Sequence, residues 1–196
     1  MRFFKKNSYD IVRLFINNIG ITIFSLMLYS AAAIAEDNIL TFNVIISVFS
    51  ILFLCALLYY VGWDYGLKDR LSVEQGRMGM CKNRGLYLAL FAAIPNFFFA
   101  VLGALLLGIH MLSGLELFYT LFAISNVICR FVQSMYIGVL QGIFSFLDSG
   151  SDLYFLLQSI GFALLPLLAV FSTHLGYRSG LVGKHFLGVF SKDKGE

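Results

Sequence analysis

Long apolar runs separated by short basic segments leave this chain few ways to fold. Thirteen of its fourteen Lys and Arg residues fall in three places. Arg2, Lys5, Lys6 and Arg13 open the chain, Lys68, Arg70, Arg77, Lys82 and Arg84 crowd one central segment, and Arg178, Lys184, Lys192 and Lys194 sit near the end. The stretches between them are too apolar and too long for a soluble core. Basic residues confined to the ends of apolar runs are the pattern of a multi-pass membrane protein whose basic loops face the cytoplasm.

Composition argues the same way. The chain is 59% hydrophobic and 13% charged, with mean hydropathy +0.84, against roughly 25% charged residues in an ordinary soluble domain. With 196 residues and no Pro-, Ser- or charge-rich linker, the expectation is one all-α, polytopic helical bundle in the membrane, 1–196, with no separate soluble domain. The net charge of +3 is divided among span ends instead of gathered on one face. It points to anionic lipid and not to nucleic acid.

Four segments qualify clearly as spans: 11–35, 39–63, 86–109 and 153–175. Each exceeds the roughly 20 residues that cross ~30 Å of hydrocarbon. Glu36, Asp37 and Asn38 make a short acidic turn between the first two, which belongs outside if the basic start is inside. The segment 64–85 then returns as a cytoplasmic loop, and 176–196 forms a cytoplasmic tail. The opening also has the outline of a signal peptide, with Ala33-Ile34-Ala35 before Glu36 as its cleavage site. The run is long, however, Asn17 and Asn18 interrupt it, and small residues before Glu36 equally suit close helix packing, so an uncleaved first span is expected.

The segment 115–147 is the difficult part. If the central loop and the tail share one face, an even number of crossings separates them, and two spans already supply it. Asn126, Arg130, Gln133, Gln141 and Ser145 fall near one stripe at helical period, interrupted only by Ile137, so a helix here is amphipathic. It is expected to lie at the outer face or to dip in and return. The alternatives are a fifth span with Arg130 near mid-membrane, or two short spans divided at Arg130.

Two span ends echo each other. Gly62-Trp63-Asp64-Tyr65-Gly66-Leu67 and Gly176-Tyr177-Arg178-Ser179-Gly180-Leu181 both read glycine, aromatic, charged, any residue, glycine, leucine. The spacing of Gly62 with Gly66 and of Gly176 with Gly180 leaves a shallow face for close helix packing. If the two ends pack side by side, Asp64 and Arg178 occupy matching positions and are candidates to pair.

The central run GWDYGLKDRLSVEQGRMGMCKNRGLYLALFAAIPN resembles a set of small multi-pass membrane proteins of Firmicutes-type bacteria. The matching features are Trp63, Gly66, Asp69, Arg70, Gly76, Arg77, Arg84, Gly85, Leu86 and Pro95, with Gly176-Tyr177-Arg178 as a weaker second block. The resemblance implies architecture and a bacterial cytoplasmic membrane. That family carries no established activity, so the resemblance transfers no catalytic residue.

Signals for chemistry are sparse. His110, His174 and His185 are far apart with no HExxH pair, Cys55, Cys81 and Cys129 lack CxxC spacing, and no phosphate-binding GxxxxGK[ST] occurs. The expectation is no metal, no cofactor and no enzymatic activity. Arg130 is the best candidate contact because it is the one basic residue away from the three clusters. With Asn126, Gln133 and Gln141 it forms a stripe suited to a ligand or a lipid head group. The expected function is that of an interaction or accessory subunit that engages another membrane protein; the alternative is a small-solute transporter, or the substrate-binding subunit of one, that uses the Arg130 stripe.

Overall fold

A computed structural model describes residues 2–32, 39–77 and 79–183. The acidic turn Glu36-Asp37-Asn38, the Ala33-Ile34-Ala35 sequence and the tail with Lys184, His185, Lys192 and Lys194 lie outside the described residues. Everything regular among them is helical: α1 (Arg2–Ala32), α2 (Ile39–Glu74), α3 (Arg84–Ser113), α4 (Glu116–Val132), a 3-10 turn (Ser134–Tyr136), α5 (Ile137–Ile143), α6 (Asp152–Leu164) and α7 (Pro166–Val182). Four stretches are long and apolar enough to cross a membrane. They are Asn7–Ser30 of α1, the whole of α2, the whole of α3, and α6 with α7 as one unit, Asp152–Val182. Pro166 stands at the first position of α7, where Pro is tolerated, and Leu165 before it keeps helical dihedrals, so the last span continues through the proline.

Two helices run further than hydropathy alone suggests. α2 continues to Glu74, which replaces most of the expected loop 64–85 with helix and leaves a connection only at 75–83. The cause is local: Asp64 pairs with Lys68 at 2.6 Å and Arg70 with Glu74 at 2.8 Å, both four residues apart on the helix surface. Gly76, with φ 70°, follows the last turn in the left-handed conformation that closes helices. Likewise α7 runs to Val182, so the second glycine block is helical throughout instead of opening a tail at 176.

Contacts fix the helix directions. The Ser172 hydroxyl donates to the Cys55 carbonyl at 2.6 Å, Gly176 lies against Tyr59, and Gly180 lies against Trp63. Position advances along both helices together, so α2 and α7 are parallel. α1 and α3 run against α2: Tyr29 near the end of α1 meets Ser47 at 2.5 Å near the start of α2, and Arg84 at the start of α3 meets Asp69 near the end of α2.

The α4–α5 segment completes the arrangement as a hairpin, bent by 85° at the 3-10 turn. Descending antiparallel to α3, α4 has His110 against Tyr119 near its start, the Ser125 hydroxyl donating to the Phe99 carbonyl midway, and Gln133 reaching the Asn96 carbonyl just past its end. α5 leaves the turn nearly at right angles to α4 and crosses the first turns of α2, with Met135 against Ser47, Gly138 against Asn43 and Gly142 against Val44. Phe144, Ser145, Leu147 and Ser149 then share a cavity with Ile39 and Tyr154. The segment therefore enters and leaves at the same end of the bundle, without passing through it. The core at the junction includes Leu54, Leu58, Met135, Tyr136, Leu140 and Phe162, all nearly or fully buried. Large side chains such as Phe49, Leu52, Phe98, Leu105 and Phe171 cover the outside, the surface that hydrocarbon solvates.

Candidate functional site

Glycine makes the α2–α7 contact. A β-carbon on Gly62 or Gly66 would overlap the carbonyl oxygen of Thr173 or Tyr177, and one on Gly176 or Gly180 that of Tyr59 or Trp63. Each backbone lies in the groove left by the other, which dispersion and weak Cα–H···O contacts favour in the absence of a hydrophobic driving force between helices. Asp64 and Arg178 do not meet there. Each stands two residues past the first glycine of its block, which at about 100° per residue turns it away from the glycine face. Asp64 takes Lys68 on its own helix, and Arg178 is exposed.

At the same end of the bundle, a charged network joins four helices. Arg84 on α3 bonds Asp69 on α2, and on α1 it reaches the Asn7 amide oxygen at 2.6 Å and Asp10 at 3.2 Å. The Tyr177 hydroxyl on α7 lies 2.7 Å from the other Asp69 oxygen and 3.1 Å from the Cys81 carbonyl. Asn7 supplies its oxygen from a non-helical residue inside α1, with φ −117° and ψ 16°. A side chain on Gly85 would collide with the Tyr177 ring, so its absence lets the ring reach Asp69. Asp69 and Tyr177 are buried. Buried charges of this kind persist when paired and hydrogen-bonded on all sides. Beside the network is a cavity of about 210 Å³ lined by Tyr9, Asp10, Arg13, Tyr65, Lys68, Asp69 and Arg84. Arg13 lies over the Tyr65 ring, 5.8 Å from its centroid.

The 3-10 turn between α4 and α5 exposes backbone groups that a continuous helix would satisfy, and side chains from the other helices take them up. The Thr22 hydroxyl lies 2.9 Å from the Val132 carbonyl, the Ser47 hydroxyl donates to the Met135 carbonyl at 2.8 Å, and the Gly138 N–H reaches the Tyr29 hydroxyl at 3.2 Å. The Ser134 hydroxyl lies 3.2 Å from the Thr22 carbonyl. Irregular backbone inside an apolar bundle survives only with such partners.

Around this turn the predicted stripe separates. Gln133, fully buried, donates to the Asn96 carbonyl at 3.0 Å. Arg130 turns to α6 and donates to the Gln158 side-chain oxygen at 2.6 Å, with its guanidinium 5.6 Å from the Phe155 ring centroid. Gln141 faces Asn43 on α2 at 3.5 Å in the cavity at the hairpin's open end. Asn126 is half-buried on α4. These four residues therefore do not line one chamber.

Several buried polar atoms near the turn have no hydrogen-bond partner: the side-chain oxygens of Asn18, Asn96 and Gln133, the Gln158 amide nitrogen and the Arg130 Nε. Asn18 and Asn96 border a central space of about 30 Å³, also lined by Tyr136, Thr173, Pro166 and Ala89, Ala92 and Ala93. A space of that size holds about one water. Among the described residues no three His, Cys, Asp or Glu side chains converge as metal ligands, and Cys55, Cys81 and Cys129 are free thiols.

Sequence reasoning treated Asp69 and Arg84 as parts of a solvated loop and did not single out Asn7, Thr22, Ser47, Asn96 or Gln158. For most of these the available signal was a polar residue inside an apolar run. Comparison with known protein families, curated proteins and solved structures finds no match for this chain.

Proposed function

We propose that this chain is a non-enzymatic integral protein of a bacterial cytoplasmic membrane that binds a small polar solute, as a transporter or as the solute-binding subunit of one. The observation that carries the reading is the helix break between α4 and α5. Its residues Ser134, Met135 and Tyr136 are buried, and the nearby side-chain oxygens of Asn96 and Gln133 are buried without partners. Burying unpaired polar atoms costs free energy, about 1–3 kcal/mol each. Broken helices with polar interiors are a recurrent way to bind solutes inside membranes. The basic residues near the start of α1 and between α2 and α3 support an orientation with both termini in the cytoplasm and the hairpin entering from outside.

A second reading, an accessory subunit that engages another membrane protein, draws on the charged end of α2. At ~1.5 Å per residue, 36 residues extend about 54 Å, beyond ~30 Å of hydrocarbon. Exposed Lys68, Arg77 and Lys82 mark the projecting end and its loop.

Native mass spectrometry of the protein released from nanodiscs, together with osmotic swelling of proteoliposomes in potassium phosphate, potassium acetate, glycerol and urea, tests the first reading. A retained small molecule, or swelling faster than in empty vesicles for one of these solutes, supports it. Failure of both, with a stoichiometric complex that dissociates on Lys68→Glu substitution, transfers the case to the second.

A further inference from the structure

At the contact between Arg130 and Gln158, two further buried donors have no acceptor. α4 and α6 both pack on α3 and scarcely touch each other. Gly103 of α3 forms the floor where they converge, since a β-carbon there would lie 3.6 Å from the Ser125 hydroxyl of α4 and 3.7 Å from the Ser159 hydroxyl of α6. Both hydroxyls are engaged with backbone carbonyls. Arg130 reaches from α4 to Gln158 on α6. A guanidinium only donates, so its bond to the glutamine oxygen fixes the amide orientation and leaves the nitrogen, Nε2, as a free donor. Gln158 is 1% exposed, and its Nε2 has no partner. The Arg130 Nε is likewise buried and unpartnered. Among the described residues, no carboxylate forms an ion pair with Arg130.

A cation that has the Phe155 ring face but no counter-ion, with two orphaned N–H donors at the same contact, calls for one acceptor that is also negative. Water answers the donors but not the charge. A chloride answers the charge, but as a single sphere it does not present separate oxygens to donors on two helices. An oxyanion does both, because carboxylate and phosphate oxygens accept several charge-assisted hydrogen bonds and match the guanidinium fork. The geometry points to a binding site for one oxyanion group, carboxylate or phosphate, held between Arg130 on α4 and Gln158 on α6. This rests on the solute-binding reading and names the class of solute. The group belongs either to a free solute or to the phosphate of a phospholipid entering between α4 and α6 from the side.

The test uses the whole protein in phosphatidylcholine nanodiscs. Thermal stability is titrated with sodium acetate and sodium phosphate against sodium chloride at constant ionic strength. In a second arm, nanodiscs containing phosphatidylglycerol are examined by native mass spectrometry for one retained lipid. Saturable stabilisation by acetate or phosphate beyond chloride identifies a free solute, and a retained lipid identifies the bilayer as the source. In either case Arg130→Gln is expected to weaken the response at least tenfold. Gln158→Leu should weaken it less, and Arg130→Lys should retain only part, since it keeps the charge and loses the fork. Should Arg130→Gln not fold, the other two variants decide the matter.

The assignment is overturned if wild-type protein responds to neither anion beyond chloride and retains no lipid, or if the folded variants respond as wild type does. Binding by wild type without passage of any solute, and without a transport partner, defeats the transport reading alone. Passage of solute that Arg130→Gln leaves unchanged defeats the oxyanion site alone.

Discussion

At the scale of single residues, what decides placement in this bundle is whether a polar atom finds a partner. Asp69 has Arg84 on one oxygen and Tyr177 on the other, and Arg84 is shared with Asn7 and Asp10. With side chains 10% and 16% exposed, Asp69 and Arg84 are screened little by solvent. Arg84→Leu leaves two carboxylates facing each other and is expected to cost about 3–5 kcal/mol. Tyr177→Phe removes one hydrogen bond to a charged group and is expected to cost about 1.5–3 kcal/mol. Denaturant unfolding in a mild detergent measures both. An Asp69→Asn, Arg84→Leu double variant should be less destabilised than the two single effects add to, because neither member is then left as a lone buried charge. Strict additivity would mean that the two residues are not coupled. The surface pair Asp64–Lys68 is another matter: with Lys68 60% exposed, its removal should stay within about 0.5 kcal/mol.

At the scale of helices, small residues set how closely two backbones approach. Gly176→Val places a branched side chain where the Tyr59 carbonyl already lies. It should cost at least the roughly 1–3 kcal/mol of an overpacked core and loosen α7 from α2. Gly20, in α1, has nothing within 4 Å of its missing side chain. Gly20→Ala should therefore stabilise by about 0.5–1 kcal/mol through helix propensity alone. Detergent unfolding of both variants separates packing from propensity, and equal behaviour would contradict the contact. The Gly-xxx-Gly spacing pointed to this face because helical phase holds through α2 and α7. In the hairpin phase fails. Arg130 and Gln141 belong to one stripe only if the helix is continuous, and the turn at Ser134–Tyr136 with its 85° bend sends them to different neighbours. Nothing in 115–147 announces that break, because its partners are Thr22, Tyr29 and Ser47, some 88 to 112 residues away. The end of α2 was hidden for the opposite reason. Hydropathy falls at Asp64, but helical pairing continues to Glu74.

At the scale of the whole molecule, the parallel course of α2 and α7 governs topology. Two parallel helices with an antiparallel α3 between them need no net passage by the segment linking α3 to α6, and the hairpin supplies none. The positions just after α3 and just before α6 therefore lie at one end of the bundle. Cys81, between α2 and α3, lies at the other. This is expected to be visible by labelling intact cells with a membrane-impermeant maleimide in a Cys55→Ser, Cys129→Ser background. A cysteine in place of Ser113 and one in place of Ser149, both exposed, should share accessibility, and Cys81, also exposed, should show the opposite. With the basic loops inside, Ser113→Cys and Ser149→Cys label from outside, and Cys81 labels only after permeabilisation. Labelling of Ser113→Cys but not Ser149→Cys from outside would make 115–147 a true span. The parallel packing of α2 against α7 would then not survive in the membrane. The glycine contact, the Ser172–Cys55 hydrogen bond and the Tyr177–Asp69 bond all depend on that parallel course, so a disagreement here would show as well in the stabilities of Gly176→Val and Tyr177→Phe.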